Sequence, residues 1–132
     1  MSAGVEYLLA RGRAQAERLM TAACTIRRIT GTTADDDGVV TPTFSEVYSG
    51  KCRVQQRSPS AEGREVGEAE LRLLRLELHL PMAATGLQPD DQATITANPT
   101  DPELVGRVLI LRDMANASHK TARRIGVIEV TS

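Results

Sequence analysis

The sequence predicts a mainly β (α+β) fold, a small antiparallel β-barrel or sandwich of about six strands with one N-terminal amphipathic helix and a long polar inter-strand loop. Three observations lead there. Leu74, Leu76, Leu78 and Leu80 alternate with Arg75, Glu77 and His79, the period of a strand with one buried face. Further β-branched runs recur between turns rich in Gly, Pro and Asp. Only the first twenty residues carry apolar side chains at helical spacing.

The Leu-rich strand is punctuated at its end. Pro81 stops its ladder, Gly86 permits a reversal, and Gln88-Pro89-Asp90-Asp91 is turn chemistry in which proline presets φ. Gln92 to Ala97 then forms the partner strand, with Ala93, Ile95 and Ala97 alternating against Thr94 and Thr96.

Upstream, Ser2 is a candidate N-cap for a helix over residues 3–20, with Val5, Leu8, Leu9, Gly12, Ala16, Leu19 and Met20 on one stripe. Leu8, Gly12, Ala16 and Leu19 are the candidate barrel-packing or inter-subunit positions, the small pair at Gly12 and Ala16 allowing close backbone approach. Residues 21–131 make the β-barrel. Its first strand holds Cys24 and Ile26, followed by Arg27-Arg28, which reads as a solvated strand face rather than a phosphate site. Residues 31–38, GTTADDDG, form a hairpin tip, because Asp35, Asp36 and Asp37 lack the alternating spacing of a calcium loop.

Residues 39–57 read as one strand bent at Gly50, with Phe44 and Tyr48 as core anchors. Residues 58–69, SPSAEGREVGEA, are too polar to bury and are expected to form a long mobile loop that orders against a partner. After the turn at Asn98-Pro99-Thr100-Asp101-Pro102, the run Leu104 to Arg112 reads as a strand buried on both faces. Residues 113–122 form a polar connection, and Arg123 to Val130 closes the fold with a bulge expected at Gly126.

Composition limits the chemistry. The chain has 132 residues and a net charge of -1, which fits one domain and disfavours a dedicated polyanion binder. Aromatics are 2%, only Tyr7, Phe44 and Tyr48, too few for the stacking platforms of single-stranded nucleic-acid recognition. Of the 16 basic residues 14 are arginine, which GC-rich coding explains as well as bidentate recognition does. No segment approaches the roughly eighteen apolar residues of a spanning helix, and no signal peptide opens the chain, so a soluble protein made in the cytoplasm is expected. Cys24 and Cys52 have no metal-ligand spacing and are expected as buried free thiols.

His79 lies on a polar strand face and His119 beside Lys120, neither with catalytic company, and no nucleophile elbow or phosphate loop occurs. Asp90 and Asp91 are adjacent in a turn and should point apart. A binding or structural protein, not an enzyme, is therefore expected, with no cofactor and no metal.

The order of parts carries a resemblance. An N-terminal helix and strand are followed by GVVTPTFSEVYSGKCRVQ, a long polar loop, LELHLPMAATGLQPDDQATI, an Asp-Pro turn, a Val-rich strand and the terminal RRIGVIEV. In this the chain resembles the head-closure proteins of long-tailed phages, also called stoppers or head-tail joining proteins, including those of phages of actinobacteria. The resemblance implies a small β-barrel assembled as a ring of six or twelve copies between portal or adaptor and tail, retaining packaged DNA. Its partners would be further copies of itself, the portal or head-tail adaptor and the tail terminator or tail tube, with DNA met only through the channel lumen. The location implied is the virion neck, after assembly in the host cytoplasm. Contacts would fall on the polar loop, at Arg57, Glu62, Arg64, Glu65, Val66 and Glu68, whose mixed signs fit protein better than DNA. A neighbouring neck component, tail terminator or adaptor, remains an alternative, as does an OB-like nucleic-acid module; a small hydrolase would need a turnover dependent on His79 or Asp91.

Overall fold

The computed structural model describes residues 3–56, 76–114 and 120–130. Helix α1 (Ala3–Arg18) precedes strands β1 (Ala22–Ala34), β2 (Val40–Gln56), β3 (Leu76–Leu80), β4 (Gln92–Ala97), β5 (Val108–Met114) and β6 (Arg123–Val130). The strands close into a barrel in the order β1-β2-β3-β6-β5-β4, every neighbouring pair antiparallel. Closure gives each strand of the body two neighbours and removes the open edges a flat sheet would expose.

Alternation decides which side chains fill the barrel. Leu78 and Leu80 are fully buried, as the Leu-rich pattern predicts, and meet Ile26, Ile95, Leu109 and Leu111 in one core. Pro81 ends β3 at the expected point. Leu74 and Arg75 lie outside the described residues, as do Ser2, His119 and the whole 58–69 loop with Arg57, Glu62, Arg64, Glu65, Val66 and Glu68.

Three expectations need correction. Leu104 to Arg112 is not one strand buried on both faces: Pro102–Leu104 is a 3-10 turn capped by Asp101, Gly106 takes φ +89°, and β5 begins at Val108. Within β5, Leu109 and Leu111 point inward while Val108 and Ile110 are only half-buried, so one face lies in the core. Strand β2 is a single strand through Gly50, as expected. A Cβ there would lie 2.8 Å from the Tyr48 hydroxyl, so the glycine makes room for Tyr48 to fold back and donate to the Lys51 carbonyl at 2.7 Å. Phe44 does not anchor the core but lies under the Arg27 guanidinium, 3.8 Å from ring centroid to Cζ. Finally, the bulge near the end falls on β5, where the register shifts between Leu111 and Asp113, and Gly126 pairs opposite Asp113.

Helix α1 lies outside the barrel, and contacts among the described residues tie it there. Glu17 pairs with Lys51 at 2.7 Å, Arg13 donates to the Lys120 carbonyl at 3.2 Å, and Gly12 sits against Thr121. A Cβ at Gly12 would approach Thr121 Cγ2 to 2.7 Å, which is the close approach its small size predicts. Met20 is buried, whereas Leu8 and Leu19 are 67% and 56% exposed. The apolar stripe is thus only partly covered.

Gly12→Ala tests whether the helix rests on Thr121. In an exposed helix this change adds about 1 kcal/mol of stability, but here the methyl must displace Thr121, so a net loss in denaturant melts is expected. A net gain would show that the helix does not pack there.

Candidate interaction site

The barrel carries a ribbon longer than its body. Strands β1 and β2 pair from Ala22↔Cys52 out to Ala34↔Val40, but β4 accompanies β1 only over Ala23–Arg27 and β3 accompanies β2 only over Arg53–Gln56. Beyond those points the two strands have only each other among the described residues. From Ile29 to Ala34 the ribbon extends roughly 20 Å at about 3.3 Å per residue. Its residues from Ile29 to Pro42 are all exposed, including Ile29, Val39 and Val40 at 51%, 57% and 63%. The sequence had marked only its tip, since a ribbon of Thr, Gly and Val alternates as a buried strand does.

The tip is shaped by Asp35. Its Oδ1 accepts from the Asp37 and Val39 amides at 2.9 and 2.8 Å, and Gly38 takes φ +83° to complete the turn. Asp36 and Asp37 have no side-chain partner among the described residues, so two carboxylates stand at the end of the arm.

Its base is fixed by an ion pair that the sequence did not reveal. Arg28 donates from Nε to Asp91 Oδ1 at 2.8 Å and from a terminal nitrogen to Oδ2 at 2.9 Å, with a further bond to the Gly86 carbonyl at 2.7 Å. Asp91 is 1% exposed and also accepts the Gln88 amide at 2.8 Å. The hydrogen bonds to Asp91 raise the Arg28 pKa above its ordinary value, keeping the guanidinium charged. Asp90 points away, as expected, with φ +75° and a 2.6 Å pair to Arg112. Arg27-Arg28 is therefore not a solvated pair: one side chain is locked to a carboxylate and the other stacked on Phe44.

A second feature is a groove of about 800 Å³ between α1 and the outer barrel wall. Gly12, Ala16 and Leu19 line its helix side, Arg53, His79 and Arg124 its barrel side, and Arg18 its end. Of the four helix positions singled out from the sequence, Gly12, Ala16 and Leu19 meet here, while Leu8 does not. His79 Nε2 donates to Glu77 Oε1 at 2.7 Å. That pair is a hydrogen-bonded couple on one strand, two residues apart. Among the described residues no three His, Cys, Asp or Glu gather as a metal site.

Cys24 and Cys52 are buried free thiols on β1 and β2, diagonal to each other, Cys24 opposite Gly50 and Cys52 opposite Ala22. Their mutual hydrogen bond and burial push the Cys24 thiol up, so it stays protonated. Burial likewise pushes Tyr48 up to about 12, leaving its hydroxyl a donor at neutral pH. No helix among the described residues is long and apolar enough to cross a membrane.

Closed six-stranded barrel, projecting ribbon and side-lying N-terminal helix define a small, mainly β fold. Residues 12–128 match a family described as of unknown function, DUF6093, and the chain belongs to that family. The solution structure of protein SF1141 from Shigella flexneri 2a is similar in fold, with a TM-score of 0.56 and 18% identity over 83% of this chain and 92% of that one. At that identity the likeness speaks for the fold alone. A search of curated proteins finds no match.

Comparison of two neighbouring substitutions tests the lock. Asp90→Asn, at an exposed ion pair, should change stability by about 0.5 kcal/mol or less. Asp91→Asn removes the charge that Arg28 grips and should lower the thermal midpoint clearly further. Equal midpoints would mean the Arg28–Asp91 pair does not hold the ribbon base.

Proposed function

We propose that this protein is a structural component of the phage neck, a head-to-tail stopper that assembles as a ring between portal or adaptor and tail and helps retain packaged DNA. The reading starts from the resemblance in the order of parts. The observation that carries it is the architecture: a closed barrel of six strands whose longest hairpin projects past the body with exposed apolar and acidic side chains. A lone protein gains nothing from an ordered, exposed ribbon, whereas a ring component can seat it on a neighbour. The partners are further copies, the adaptor or portal above and the terminator or tube below. The polar 58–69 segment, with Arg57 just before it, supplies a second contact through Arg57, Glu62, Arg64, Glu65, Val66 and Glu68.

Excision of Glu62 to Glu68 tests the role. The expected product is a folded protein whose phage yields filled heads that leak DNA or remain tailless, scored by electron microscopy of lysates. An unfolded variant, or tailed virions at wild-type yield, would count against the assignment. Gold labelling of a tagged chain should mark the neck, and labelling elsewhere on the particle or none would reject it.

A further inference from the structure

We infer that the groove between α1 and the barrel is the seat for the β1–β2 ribbon tip of a second copy of this chain, with Asp36 and Asp37 against Arg18, Arg53 and Arg124. The inference rests on the ring reading above and deepens it by naming the contact between copies.

Charge complementarity selects the occupant. From Ile29 to Ser45 the ribbon contains three carboxylates and no lysine or arginine. Asp35 is consumed by the turn's own amides, which leaves Asp36 and Asp37 to meet a partner. The groove presents Arg18, Arg53 and Arg124, and its carboxylate, Glu77, is already bonded to His79. Among the described residues neither Arg53 nor Arg124 has an acidic partner. The apolar parts match as well: Val39 and Val40 flank the acidic tip, while Ala16 and half-exposed Leu19 form the helix side of the groove. A tip of this kind brings opposite charges together over an apolar patch, which favours both encounter and register.

The tip cannot enter its own groove. Val40 and Arg53 belong to the same continuous strand, so tip and groove stand roughly 40 Å apart at about 3.3 Å per residue. Tip and groove are different patches on each copy, so the contact is heterologous and repeats from copy to copy until a rotation closes it. Such a contact has the form a ring requires.

A charge-swap pair tests this with exposed residues only. One variant carries D36K and D37K, giving a basic tip and basic groove; the other carries R18E and R124E, giving an acidic tip and acidic groove. Each alone is self-repelling and should associate at least about tenfold more weakly than the wild type, a loss of about 1.4 kcal/mol. Mixed, both contacts become complementary and association returns. With the first variant isotope-labelled at about 1 mM and the second added unlabelled, amide shifts should move at residues 15–19 and 53–55 and at 36–40. Association of either variant at wild-type strength, shifts confined to other surfaces, or a wild type that stays monomeric at that concentration would overturn the inference. Neck labelling by the tagged wild type is read separately: a labelled neck with charge-insensitive association rejects this contact and leaves the neck assignment standing, while an unlabelled neck rejects the assignment itself.

Discussion

At the rim of the barrel a guanidinium from β1 grips a carboxylate from the β3–β4 connection, and the projecting part of the molecule depends on that grip. Arg28 stands one residue beyond Arg27, the last point at which β1 pairs with β4. From there outward the ribbon has no barrel to lean on. By holding both oxygens of a buried Asp91 and the Gly86 carbonyl, Arg28 ties the ribbon's base to a loop that is itself anchored by β5 through the amide of Leu111. Losing Arg28 leaves the Asp91 carboxylate buried without its cation, so the arrangement favours one ribbon direction over many. Phe44 of β2 braces the same level by stacking under Arg27 of β1.

Below that level the body is ordinary packing made possible by small residues at points of close approach. The core is aliphatic and thiol, with no aromatic ring fully inside it. Gly50 yields space to Tyr48, and Gly12 yields space to Thr121, so one glycine admits an aromatic at the wall and the other seats a helix. Among the described residues an ion pair, a carbonyl contact and this close approach hold the helix, and its apolar stripe is only partly covered. A groove consequently remains between helix and wall, and Leu8 and Leu19 stay exposed.

Much of the body was legible because strand periodicity acts locally. Leu78 and Leu80, the stop at Pro81, the turn through Asp90 and the outward placement of Asp90 all follow from neighbours a few residues apart. What escaped was set by distant partners. Arg28 and Asp91 lie 63 positions apart, and nothing in either local pattern distinguishes a gripped arginine from a solvated one. The ribbon escaped for a related reason: an exposed two-stranded arm and a buried pair share the same alternation, and only the shorter reach of β3 and β4 separates them. Leu104 to Arg112 misled because apolar content outweighed the turn chemistry of Pro102 and Gly106. The polar contacts assigned to residues 57–68 lie outside the described residues, so the structure adds the ribbon and groove beside them.

The neck reading thus relies on an arm that is already ordered before it meets anything, since a preformed arm loses little entropy on docking. Spin labels at Asp36 and Gln55, with the two native thiols buried, measure this directly by pulsed dipolar spectroscopy in the free protein. A single narrow distance distribution on the order of 45 Å is the expected result. A broad distribution, or one centred well below that span, would mean the ribbon collapses onto the body and presents no fixed tip to a neighbour.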